Sequence, residues 1–111
     1  MDKSTLTADR LNSEELDLPG VGTITVRGLS RFELLLAGKL TGDQGAAVME
    51  QHMLSMGMVD PEMSTKDVEA WQKASPAGEI MPVVSLINRL SGVGQGADKS
   101  GVPEAGAEPG A

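Results

Sequence analysis

Cysteine and tyrosine are absent from this chain, and Phe32 and Trp71 supply its only phenyl and indole rings. Without thiols there are no disulfide staples and no thiolate chemistry, a composition that suits a reducing cytosol. With so few rings, the core has to be built from Leu, Val, Ile, Met and Ala. No apolar run approaches the length of a membrane span, so no membrane partner is expected. The start, Met1-Asp2-Lys3-Ser4-Thr5, has no hydrophobic stretch behind it, and no secretory leader is expected. Cations are scarce too: nine Lys and Arg stand against sixteen Asp and Glu, a formal charge of -7. That balance opposes non-specific binding to DNA or RNA.

The chemistry of catalysis is equally thin. His52 is the single histidine. Its sequence neighbour Glu50 is two positions away and does not share a helix face with it. A metal site would rest on carboxylates alone, and no predicted face gathers them. Gly20-Val21-Gly22 is too short for a phosphate loop, and Gly92-Val93-Gly94-Gln95-Gly96 follows a helix instead of opening one. Ser30, Ser64, Ser75 and Ser91 all have capping or terminus explanations. The chain therefore reads as non-enzymatic, with no catalytic residue, cofactor or metal expected.

What is present is the grammar of a small helical domain. The 111 residues hold one such domain, over 15–92, and a core of that size leaves a thin stability margin. Residues 1–14 are polar and expected to be flexible. The Gly/Ala/Pro/Glu-rich stretch 93–111 is expected to be disordered. The first ordered element is a β-hairpin over 15–27. Glu15-Leu16-Asp17-Leu18 and Thr23-Ile24-Thr25-Val26-Arg27 alternate around Pro19-Gly20, placing Leu16, Leu18, Ile24 and Val26 on one face.

About four short helices follow, so the fold class is mainly α: a small bundle preceded by the hairpin. The first, about 30–39, opens on a capping box of Ser30 and Glu33. Its apolar stripe is Phe32, Leu35, Leu36 and the stem of Lys39, widened by Leu34 and Leu40. The second, about 43–56, carries Ala46, Met49, Met53 and Met56, flanked by Val48 and Leu54, and Gly57 is expected to stop it in the left-handed conformation. Met58 and Val59 form an extended or tight connection. Asp60-Pro61 then blocks helix propagation. Ser64 and Asp67 cap the third helix, 64–75, whose face is Val68, Trp71 and Ala74 or Ser75. The fourth, 77–91, has Ile80, Val83, Val84, Ile87 and Leu90 at offsets of three and four. Pro82 kinks it if it begins at Ser75 and costs little if it begins near Ile80. Gly92 ends it.

Two readings stay open for the methionines. They fill an irregular core that lacks rings, or they form an adaptable surface for a partner's apolar helices. Phe32 and Trp71 pose the same question, with the core as the favoured place for both.

Three phrases together resemble the tail assembly chaperones of long-tailed, siphovirus-like bacteriophages, particularly those infecting actinobacteria. They are Ile24-Thr25-Val26-Arg27-Gly28-Leu29-Ser30-Arg31-Phe32-Glu33, Gly57-Met58-Val59-Asp60-Pro61-Glu62-Met63-Ser64, and Ala77-Gly78-Glu79-Ile80 leading to Ile87-Asn88-Arg89-Leu90-Ser91-Gly92. The resemblance spans about 22–92. Gly38, Gly42 and Gly45 depart from the strong helix formers expected around the second helix. The resemblance implies a protein of the infected host's cytoplasm that binds the tape measure protein and keeps its apolar helices soluble. It also implies promotion of tail tube protein polymerisation, absence from the finished virion, and a longer frameshift product of the same gene as a further partner. The client-binding candidates are Leu34, Leu35, Met49, Met53, Met56, Met58 and Trp71. Two other classes stay open: a structural adaptor, minor tail or connector component of a particle, and a small acidic regulatory binding module. A homo-oligomer that hides a surplus apolar face is also compatible with the sequence.

Overall fold

The computed structural model describes residues 1–93, so the tail expected beyond Val93 lies outside the described residues. Its elements are α1 (Lys3–Thr7), β1 (Ser13–Leu18), β2 (Gly22–Arg27), α2 (Arg31–Thr41), α3 (Ala46–Gly57), β3 (Met58–Asp60), α4 (Thr65–Ala74) and α5 (Met81–Leu90). The domain is mainly helical, with four longer helices after a β-hairpin.

The hairpin pairs Leu16 with Ile24 and Glu14 with Val26. The Val21 amide donates to the Leu18 carbonyl across Pro19-Gly20, and Gly20 has φ +77°, as a turn with Pro second and Gly third requires. Leu18, Ile24 and Val26 are buried, with Leu16 packed beside them. The pairing begins at Ser13, two residues before the expected start. Ser13 and Glu14, expected in the N-terminal stretch, thus belong to β1. Asp2 caps the short helix α1 by accepting from the Ser4 amide, although α1 buries nothing. A third strand extends the sheet: β3 pairs antiparallel to β2 beside a bulge at Thr25/Val26, giving the order β1-β2-β3. The expected connection at Met58 and Val59 is therefore a strand, and its first residue, Met58, is buried. Pro61, which has no amide hydrogen to extend the ladder, follows it directly.

The caps behave as their chemistry dictates. Ser30 and Glu33 form a reciprocal capping box at α2, and Ser64 and Asp67 form another at α4. Accepting the Ser64 amide and the Ser64 hydroxyl's company holds the Asp67 carboxyl below its ordinary range. At the end of α5, Gly92 takes φ +76°. Its amide reaches the Arg89 carbonyl while the Val93 amide reaches the Asn88 carbonyl, a Schellman ending.

Three helix boundaries differ from expectation. The second long helix begins at Ala46, not 43, because Gly42 and Gly45 have φ +56° and +100° and carry the chain through a non-helical link. The last helix begins at Met81, not 77. Residues 76–80 form a turn, with the Glu79 amide on the Pro76 carbonyl, and Pro82 falls harmlessly in the first helical turn. Gly57 is not a left-handed stop: it is the last helical residue of α3, and a Cβ there would lie 2.7 Å from Ile87 Cδ1. It is small so that α5 can lie against α3. Gly28 does the same for α5 and the hairpin, since its Cβ would meet the Leu90 carbonyl oxygen at 2.5 Å. The Leu29 amide also donates to Ser91 Oγ at 2.8 Å. The core formed by these approaches comprises Leu18, Ile24, Val26, Leu29, Leu54, Met58, Val68, Ile80, Val83, Leu86 and Ile87.

Gly57→Ala should destabilise the protein by about 1–3 kcal/mol through overpacking, read by urea unfolding followed with Trp71 fluorescence. Ile87→Val removes the atom the new methyl strikes. The double variant should therefore lose less stability than the two singles added together; strict additivity would show that the contact does not govern the approach.

Candidate functional site

The orientation of α2 is set at its first turn. Arg27, at the end of β2, makes a bidentate pair with Glu33: Nη2 to Oε2 at 2.6 Å and Nη1 to Oε1 at 2.9 Å. Glu33 Oε1 also accepts the Ser30 amide at 3.0 Å. These donors, Arg27 foremost, pull the Glu33 carboxyl down to about 2, and Glu33 in turn holds the Arg27 guanidinium more firmly charged. Strand and helix are thereby clamped together.

With Glu33 turned to the sheet, Ala37 and Thr41 fall against the body of the protein, and both are buried. Thr41 Oγ1 donates to the Ala37 carbonyl at 2.7 Å and approaches Met49 Sδ of α3 at 3.4 Å. Ala37 and Thr41 thus face inward beside α3, and the largest side chains of α2 face out. Phe32 is 74 % exposed, Leu35 56 % and Leu40 48 %, with Leu36 half-buried between them. The expected apolar stripe of Phe32, Leu35 and Leu36 is thus an outward surface, running on to Leu40 over about two and a half turns, and the core place favoured for Phe32 is corrected. Phe32 is not a core ring.

The other candidates scatter. Leu34 is half-buried on the flank of α2. Met58 belongs to the core, and Met53 and Met56 pack against it. Leu54 and Gly57, not the methionine stripe, are the most buried residues of α3. Met56 and Met58 also line an open cleft of about 780 Å³ with Met63 and Arg27, far from being a continuous stripe with Met49. Trp71 is half-buried against the core, its indole N–H donating to Glu79 Oε2 at 2.8 Å. Of the seven, Leu35 alone is fully on the surface.

His52 is half-buried, and no cluster of three His, Cys, Asp or Glu among the described residues has a metal-holding arrangement. No helix among them is long and apolar enough to cross a membrane.

A second feature adjoins α2 and escaped the sequence reading. An open cleft of about 600 Å³ lies between the N-terminal arm, the start of α2 and the end of α5, and Arg10, Arg31 and Arg89 all line it. The three arginines are far apart in sequence, so only the fold unites them. The outward rotation of α2 did have a sequence signal: Ala37 and Thr41, four apart, are the small pair on which a helix can lie close to a neighbour.

No family model, curated protein or solved structure matches this chain.

The Glu33 carboxyl is depressed in the fold, so its pairing stabilises the protein fully above its ordinary value of 4.5 and fades as pH falls towards about 2. Glu33→Gln should cost about 2–3 kcal/mol at pH 7. Its deficit relative to the parent chain should shrink through that acid window in denaturant titrations. A deficit independent of pH would show that the clamp is not electrostatic.

Proposed function

We propose that this chain is a phage tail assembly chaperone that holds apolar helices of the tape measure protein against the exposed face of α2. The observation that carries the reading is the inverted burial of α2, with Ala37 and Thr41 inside and Phe32, Leu35 and Leu40 outside. The resemblance of 22–92 to that family supports it from the sequence side. The contact residues are Phe32, Leu35, Leu36 and Leu40, with Leu34 at the margin; Met49 of α3 supports the helix from beneath through Thr41. Activity is set in the infected cell's cytoplasm, before the tail tube protein polymerises around the client, and the chaperone is left out of the finished particle.

The energetics suit a transient role. Burying one wholly exposed side chain of this kind yields about 1.5–3 kcal/mol; the stripe is already partly covered, so it offers the equivalent of about two, roughly 3–6 kcal/mol, before association costs of about 4–15 kcal/mol. A single copy therefore binds weakly and releases readily. Secure hold on a long client comes from several copies along it, each easily displaced by the growing tube.

Co-expression with the phage's tape measure protein tests this. The parent chain should keep the client soluble and co-purify with it. Phe32→Asp and Leu35→Asp should each lose both effects while their own melting temperatures stay within a few degrees, because surface substitutions cost little. A client that precipitates regardless, with this chain present stoichiometrically in finished particles, would favour the structural-adaptor class instead.

A further inference from the structure

We infer that the segment captured on α2 is acidic as well as apolar, with carboxylates that enter the arginine-lined cleft at the start of the helix. The inference rests on the reading of α2 as the docking face and specifies the chemistry of its partner.

Charge on this surface runs against the rest of the molecule. The chain carries -7 overall, yet the outward face of α2 holds Arg31 and Lys39 and no carboxylate, because the helix's one acid, Glu33, is turned to Arg27. Arg31 and Leu35 are one turn apart, as are Leu35 and Lys39, so cation, leucine and cation share one row. Arg31 belongs at once to this row and to the cleft it shares with Arg10 and Arg89. The apolar stripe therefore runs without interruption into a basic cleft.

One acid, Asp9, lines the cleft with the three arginines, and Glu14 reaches it from β1, so the cations outnumber the acids there. The Asp9 carboxylate accepts the Leu11 amide at 2.9 Å. Glu14 touches Arg89 at 3.3 Å, but both side chains are about half exposed, and such surface pairs exchange easily. Arg10 donates to the Leu6 carbonyl at 3.1 Å and has other N–H groups to offer. Guanidinium groups match carboxylates with paired, directional hydrogen bonds. A second copy of this chain is a poor occupant: two α2 faces pressed together would oppose Arg31 and Lys39 with cations and supply no acid. An amphipathic helix with leucine-type residues at i, i+3, i+4 and i+7 and glutamates at one end satisfies both the stripe and the cleft.

Two synthetic helical peptides test the inference, alike in their leucine pattern but ending in three glutamates or three lysines. Each is titrated into the full chain at low and high salt. The glutamate peptide should bind at least about tenfold tighter at low salt, and the advantage should fall to about threefold or less at 300 mM salt, as exposed charges are screened. Arg31→Glu and the double variant Arg10→Glu, Arg31→Glu should abolish or reverse the preference. A glutamate at position 31, in the first turn of α2, favours the helix, and Arg10 is exposed in the arm between α1 and β1, so these variants keep the fold. Phe32→Ser, which removes apolar contact and adds no charge, should weaken both peptides equally. Equal binding of the two peptides, or a preference untouched by the arginine variants, overturns the acidic partner while leaving the docking face standing. Failure of both peptides to bind, or a dimer in sedimentation that Leu35→Asp dissolves, overturns the docking face with it.

Discussion

Everything in this domain depends on how closely α5 approaches its two supports. Gly28 lets it touch the hairpin and Gly57 lets it touch α3, in each case at a distance that a Cβ would forbid. Once seated, α5 gives Val83, Leu86 and Ile87 to a core shared with Ile24 and Val26 of the sheet and Leu54 of α3. The Leu29 amide, bonded to Ser91 Oγ, fixes the link that leads into α2. The Arg27–Glu33 pair then fixes how α2 is turned. A chain nearly without rings reaches a packed interior by bringing backbones together, using small residues where larger proteins use large ones to fill space.

That economy explains the surface. Because α2 meets α3 through Ala37 and Thr41, its large side chains have no interior to enter. A core helix and a docking helix can carry the same apolar periodicity; what separates them is which face the neighbouring elements accept. Here an ion pair and two small residues decide, and Phe32 is left in solvent as a consequence. The same rotation brings Arg31 into register with Arg10 and Arg89, so the apolar stripe and the basic cleft have one structural cause.

Much of the fold was legible from local chemistry. Ser30 with Glu33, Ser64 with Asp67, and Gly92 each act within a few residues of chain, so their hydrogen bonds follow from spacing alone. The Pro19-Gly20 turn and the alternation of Leu16, Leu18, Ile24 and Val26 predict the hairpin and its inward face for the same reason. The three- and four-residue spacing of Ile80, Val83 and Ile87 identifies the buried face of α5. What was not legible depends on distant partners. Gly57 looks like a helix stop until Ile87 is seen above it. Met58 becomes a strand residue only because Val26 lies opposite. The stripe of Phe32, Leu35 and Leu36 has no direction in a one-dimensional pattern, since periodicity gives a face but not what it meets. The arginine cleft assembles residues 10, 31 and 89, and no local signal joins them.

In the proposed role, a client helix lies on the outward face of α2. Site-specific photocrosslinking states it most directly: a benzophenone side chain at position 35, and a control at position 21 on the exposed hairpin turn, each co-expressed with the tape measure protein. A covalent adduct with the tape measure is expected from position 35 and none from position 21. Adducts from position 21 alone, or none from position 35 while the two proteins still co-purify, would contradict it.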